Sequence, residues 1–121
     1  MKILIVDDSK VMRMIIKRTL KDAGFGAHPV DEAGNGIEGL AALRREPFGI
    51  VLCDWNMPQM SGLELLAAVR AAKIPVRFGF ITSETAGPML EQASSAGAEF
   101  LIGKPFNAEV LQKVLQGVLG P

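Results

Sequence analysis

Apolar side chains are distributed along this chain in two ways. Short, nearly unbroken apolar runs (KILIV, GIVLC, FGFI and EFLIG) alternate with longer stretches in which apolar positions recur every three or four residues. Unbroken runs mark strands covered on both faces, and the wider spacing marks amphipathic helices. The first run predicts a strand at residues 2–6. A helix follows with Val11, Ile15, Thr19 and Ala23 as its apolar positions, capped by Ser9 or Asp8 and ended by Gly24. Residues 27–33 read as a short strand. Its Pro29 cannot donate a ladder hydrogen bond, so this strand belongs at a sheet edge. A helix over about 35–45 carries Ile37, Leu40, Ala41 and Leu43, and a third strand covers 49–53. Beyond the loop WNMPQMSG comes a helix through Leu63, Leu66, Ala67 and Val69, then a fourth strand within IPVRFGFI. Gly87–Pro88 fits a helix start, residues 99–102 a fifth strand, and a last helix runs from its cap Asn107 to about Leu119.

Five strand–helix units in strict alternation predict an α/β architecture, a (βα)5 doubly wound parallel sheet with helices on both faces. The outer second strand favours the flavodoxin-like order 2-1-3-4-5. Ligands of such sheets bind outside the carboxyl ends of the strands. There the apolar runs give way to Asp7 and Asp8, Asp54, Thr82 and Lys104. Each has a plainer role in isolation: a helix cap for Asp7 and Asp8, turns for Asp54 and Lys104, a strand-end hydroxyl for Thr82. The topology nevertheless brings all five to one crevice. Two carboxylates ~5 Å apart repel by about 3 kcal/mol at an effective dielectric near 20, so such a group needs a cation or a raised pKa. Hard oxygen ligands suit Mg²⁺ beside a phosphoryl group, whose charge Lys104 can neutralise while Asp54 acts as a nucleophile forming an aspartyl phosphate.

Composition narrows the classes. The 121 residues suit one domain spanning 1–121, and 13 basic against 13 acidic side chains leave no electrostatic footprint for nucleic acid. A single cysteine, Cys53, in an apolar run permits no disulfide framework and fits a reducing compartment. No run reaches the ~18 apolar residues of a membrane span, and Asp7 and Asp8 end the first run too early for a signal peptide. A cytoplasmic protein with no membrane partner is expected. Hydrophobic residues make up 49% of the chain. The last helix spreads Val110, Leu111, Val114, Leu115, Val118 and Leu119 over about half its circumference, which predicts an apolar partner or dimer surface on a monomer or weak dimer. His28, beside Pro29, reads as a solvated edge residue.

With these residues in place the chain resembles a response-regulator receiver domain over essentially its whole length. The resemblance is carried by Asp7–Asp8, the segment Asp54-Trp55-Asn56-Met57-Pro58, Ser61–Gly62, Thr82–Ser83–Glu84 and Lys104–Pro105–Phe106. Among receivers it is similar to the single-domain chemotaxis type, through Trp55-Asn56-Met57 and Glu84; the sheet order 2-1-3-4-5 is an established property of that type. The resemblance implies that Asp54 accepts a phosphoryl group from a partner histidine kinase. Asp8, Asp54 and the backbone carbonyl of Asn56 would hold Mg²⁺, with Asp7 acting through water. Lys104 would pair with phosphoryl oxygens, Thr82 would turn its hydroxyl toward them, and Lys104–Pro105 would be cis.

By the same resemblance, phosphorylation shifts the face made by the fourth helix, fifth strand and fifth helix. Output passes to a downstream protein such as a flagellar motor switch, with a phosphatase as an optional further partner. The domain would stand alone without an effector domain, acting in chemotaxis, and would be no enzyme apart from its own phosphotransfer and autodephosphorylation. Asn56 and Glu84 occupy positions that set water attack on the phosphoryl group, and their polarity implies a lifetime of seconds to minutes. Leu101 is a departure, because the family commonly has an aromatic residue there. Phe100 beside it would point to the opposite face of the strand. Leu101 therefore implies altered switching and keeps an alternative open: a phosphate sink, or a phosphorylation-independent scaffold outside chemotaxis. Two other classes fit less well. A haloacid-dehalogenase-like phosphatase resembles chains with Asp-x-Asp, whereas Asn56 lies two after Asp54. A flavin binder would suffer repulsion of its phosphate by Asp7 and Asp8.

Overall fold

The computed structural model describes residues 1–83 and 87–119. Five strands, β1 (Ile3–Val6), β2 (Val30–Ala33), β3 (Ile50–Cys53), β4 (Arg77–Thr82) and β5 (Phe100–Gly103), alternate with α1 (Lys10–Leu20), α2 (Gly36–Arg45), α3 (Gly62–Ala71), α4 (Gly87–Ser95) and α5 (Ala108–Leu119). All strand pairs are parallel and the order is β2-β1-β3-β4-β5, the predicted α/β topology. Among the described residues no helix is long and apolar enough to cross a membrane.

Local chemistry sets the element boundaries. The Ser9 hydroxyl accepts from the Met12 amide, Asn35 caps α2 through Glu38, Ser61 and Glu64 form a reciprocal capping box, and Asn107 accepts from Val110. After Leu20 the chain makes one wider turn over Lys21–Phe25. Gly24 within it breaks the helical backbone at φ 99°, a conformation open to glycine at little cost.

Each strand sends alternate side chains to opposite faces. On one side Ile3, Ile5, Ile50, Leu52, Ile81 and Ile102 meet α1 and α5 through Ile16, Leu20, Leu111 and Leu115. On the other, Leu4, Val6, Val51, Phe78 and Phe80 meet α2, α3 and α4 through Leu43, Leu65, Leu66, Val69 and Ala93. Phe100 belongs to the first side and Leu101 to the second, as strand alternation predicts. Phe100 stands opposite Gly79 in register, and a Cβ at Gly79 would come within 2.1 Å of its ring. The ring occupies the space that the missing side chain leaves.

Three helical faces differ from expectation, the smallest departure being in α3, where Ala67 is exposed and Leu65 is fully buried. In α1 the inward residues are Ile16 and Leu20, with Met12 partly buried, while Val11 and Ile15 are exposed. The expected stripe of Val11, Ile15 and Thr19 is thus rotated by one position, or 100°; only Ala23, in the turn beyond, is buried as expected. In α2 the expected inward residue Ile37 is exposed, while Gly39, Ala42 and Leu43 face the sheet. Helix α5 buries Leu111 and Leu115 completely and Val114 and Val118 in part. Of its described apolar side chains only Val110 is exposed, so core contact absorbs most of the broad arc that had suggested a partner surface.

Candidate functional site

The carboxyl ends of β1, β3, β4 and β5 form one edge, and backbone hydrogen bonds hold its functional residues in step. Asp7 N donates to Ala33 O at 3.1 Å, Asp54 N to Val6 O at 2.9 Å, and Lys104 N to Thr82 O at 2.8 Å. The sheet thereby places the first residue beyond each of three strands beside its neighbour. Asp7 and Thr82 are the buried polar residues here, each 1% exposed, while Asp8 faces solvent.

Asp7, Asp8 and Asp54 each direct a carboxylate oxygen into a space where all three lie within 4.8 Å of one another. Opposite them the Lys104 Nζ stands 3.4 Å from Asp7 Oδ2 and 3.5 Å from Asp54 Oδ1. One ammonium at these long distances only partly offsets three carboxylates. Backbone donors contribute as well: Ser9 N donates to Asp7 Oδ1 and Trp55 N to Asp54 Oδ1, both at 2.9 Å. Burial, and next the charge of Asp7, push the Asp54 carboxyl above its ordinary range; Lys104 and the Trp55 amide pull it back in part. Burial also drives the adjacent Cys53 thiol well above its usual value, assisted by Asp54 and Asp7. That thiol is inert packing, donating to the Asp54 carbonyl at 3.2 Å.

The arrangement thus offers hard anionic oxygens on one side of a crevice and one cation on the other. Such a donor set fits Mg²⁺ in chemistry. Thr82 ends β4 on this edge, and Asn56 lies exposed in the loop two residues beyond Asp54. The Lys104–Pro105 bond is cis. Leu101 sits within β5, partly buried on the α3/α4 side and away from the carboxylates. Glu84 lies outside the described residues.

Three features escaped sequence reasoning. The Arg13 Nη1 donates to the Asp7 carbonyl at 2.6 Å while its Nε pairs with Glu32, which ties α1 and β2 to the site. A basic residue one turn into the helix after two aspartates was the available signal. The Trp55 ring, next to Asp54, packs edge-on against Phe80, with centroids 4.9 Å apart and an interplanar angle of 63°. No sequence pattern reveals that contact, because strand register creates it. Gly62, at the start of α3, has the Asp54 carbonyl oxygen 2.2 Å and Phe80 Cε1 2.8 Å from where its Cβ would be, so only glycine allows the helix to begin so close.

Comparison with known proteins places this geometry in context. Residues 3–116 match the family model described as response regulator receiver domain. The chain is 40% identical over 122 residues to the chemotaxis protein CheY-3 of Vibrio cholerae, covering 98% of this chain and 91% of that protein. It is equally 40% identical to the chemotaxis protein CheY of Pseudomonas aeruginosa, covering 98% and 95%. Among solved structures, chemotaxis protein CheY4 of Vibrio cholerae superposes with a TM-score of 0.86 at 37% identity, covering 97% of each chain.

Proposed function

This chain belongs to the response regulator receiver domain family, and from that premise we propose that it accepts a phosphoryl group on Asp54 from a histidine kinase in the cytoplasm and signals by changing its affinity for a partner protein. The convergence of Asp7, Asp8 and Asp54 opposite the Lys104 ammonium is the observation that carries this reading. Its CheY-type relatives make chemotaxis the pathway we favour.

Asp7, Asp8, Asp54 and the backbone carbonyl of Asn56 are the groups that would hold Mg²⁺. When bound, the ion supplies positive charge that lets the carboxylates tolerate an incoming phosphoryl dianion. In the transfer, an ionised Asp54 oxygen forms the new bond to phosphorus as the bond from phosphorus to the donor imidazole nitrogen breaks, and the imidazole takes its proton from solvent. Lys104 offers its ammonium to the transferred oxygens, and the Thr82 hydroxyl donates to one of them. The domain thus catalyses only its own phosphotransfer and the later attack of water, which Asn56 and Glu84 tune. Donor approach is favoured along α1, whose exposed face beside the crevice presents Val11, Met14 and Ile15 at 67%, 59% and 44% exposure. Output is assigned to the face of α4, β5 and α5.

Leu101 favours one competing reading, in which phosphorylation switches no partner: a phosphate sink or a phosphorylation-independent scaffold outside chemotaxis. Trp55 fluorescence separates a working phosphoacceptor from the scaffold, since Trp55 is the single tryptophan and its amide bonds Asp54. A saturable response to Mg²⁺, then a further response to beryllofluoride that disappears in Asp54→Asn, is expected. Mg²⁺ binding with no beryllofluoride response would favour the scaffold.

A further inference from the structure

Trp55, Phe80 and Leu101 form a line from the acidic crevice to the edge strand. Trp55 is anchored at both ends of its peptide unit: its amide donates to Asp54 Oδ1 and its carbonyl accepts from Gly62 N, each at 2.9 Å. A group bound to that carboxylate oxygen competes with the amide for its lone pairs, which puts Trp55 in direct contact with the state of Asp54. Its indole meets the Phe80 ring edge-on at 4.9 Å, an arrangement that depends on angle as well as distance. Phe80 is wholly buried on β4, between the central strand and the edge strand, in register with Cys53 on one side and Leu101 on the other. It shares its face of β4 with Thr82, two residues on.

Close-packed interiors pass on displacements that a fluid core would absorb. Of the three side chains, Phe80 is fully buried, whereas Leu101 is only partly buried at the far end. Phe78 continues the aromatic row at 5.4 Å, but it points the row back toward the amino ends of the strands.

We infer that Phe80 is a positioning residue that couples the state of Asp54 to Leu101 on β5, with the aromatic element of the switch carried by β4. The inference rests on the phosphoacceptor role proposed for Asp54. Phe80 touches neither metal nor phosphoryl group; it acts through the Trp55 ring on one side and the Leu101 side chain on the other.

Methyl NMR of Leu101 in the full chain, with Mg²⁺ and beryllofluoride added, tests this. In the unaltered protein the Leu101 methyl resonances are expected to move. In Phe80→Leu that movement falls by about threefold or more, within the range of measured coupling energies, while beryllofluoride affinity stays within about twofold. Phe78→Leu, equally buried but off the path, retains the full movement. Trp55→Leu, on a half-buried loop residue with little risk to folding, interrupts the path from its other end and reduces the movement in the same way. Full Leu101 movement in folded Phe80→Leu, or in Trp55→Leu, overturns the inference and leaves the phosphoacceptor intact. Absence of any beryllofluoride binding by the unaltered protein overturns the phosphoacceptor reading, and the coupling with it.

Discussion

On the α1/α5 side of the sheet, isoleucines and leucines from the strands meet Ile16, Leu20, Leu111 and Leu115, and both helices are fastened by several fully buried side chains. On the other side the centre is aromatic, with Phe78, Phe80 and Trp55 in sequence, and of the described side chains of α4 only Ala93 is fully buried. A groove of about 590 Å³ runs between α3 and α4, lined by Leu63, Ala67, Pro88 and Gln92 among others. Aliphatic side chains interlock in many equivalent contacts, whereas edge-on rings hold few contacts of definite angle. One face therefore concentrates the aliphatic packing, and the other carries the aromatic row along which the proposed coupling from Asp54 would run.

The division predicts that damage on the two sides will have different signatures. Leu115→Ala should give the largest loss of stability, about 3 kcal/mol in urea unfolding, because it opens a cavity among fully buried neighbours. The folded variant should keep the full Trp55 response to beryllofluoride. Gly62→Ala should cost less, about 2 kcal/mol, as the added methyl presses on the Asp54 carbonyl and Phe80. Unlike Leu115→Ala it should also weaken Mg²⁺ binding, and unaltered Mg²⁺ affinity would erase the distinction between the faces.

The smallest effect has the opposite sign. Burial and Asp7 raise the Asp54 carboxyl, so the folded protein holds that proton to higher pH than the unfolded chain does. Its contribution to stability is complete below the unfolded pKa and is lost as pH rises through the folded one. Asp54→Asn should thus stabilise the Mg²⁺-free protein slightly at neutral pH, with the gain vanishing in acid below the ordinary carboxylate range. Thermal unfolding across pH would show it. A loss of stability at neutral pH would mean that Lys104 outweighs the carboxylate repulsion.

How far the sequence alone carried follows the same physics. Strands buried on both faces leave continuous apolar runs, so four of the five strands and the polar residues at their ends were legible, while β2, only partly buried, was placed at the sheet edge by Pro29. Helix faces were less so. In α1 the apolar residues Val11, Met12, Met14, Ile15 and Ile16 fill two overlapping stripes, and the inward choice of Ile16 and Leu20 depends on how the helix seats on β1. Charge gave no guidance, because Arg13 and Lys17 both reach to Glu32. The acidic crevice was visible as residues at strand ends. The ring contact between Trp55 and Phe80 was not, since 25 positions of chain separate residues that only the pairing of β3 with β4 brings together.

Gly79 and Phe100 add a constraint on descent. The ring and the absent Cβ fill one space, so enlarging position 79 while the phenylalanine remains forces atoms to within 2.1 Å, and trimming position 100 alone leaves a void. Neither site is free to drift by itself. A lineage that moves this bulk from β5 to β4 must pass through a crowded or a hollow ancestor, and the two positions are inherited, in effect, as one character.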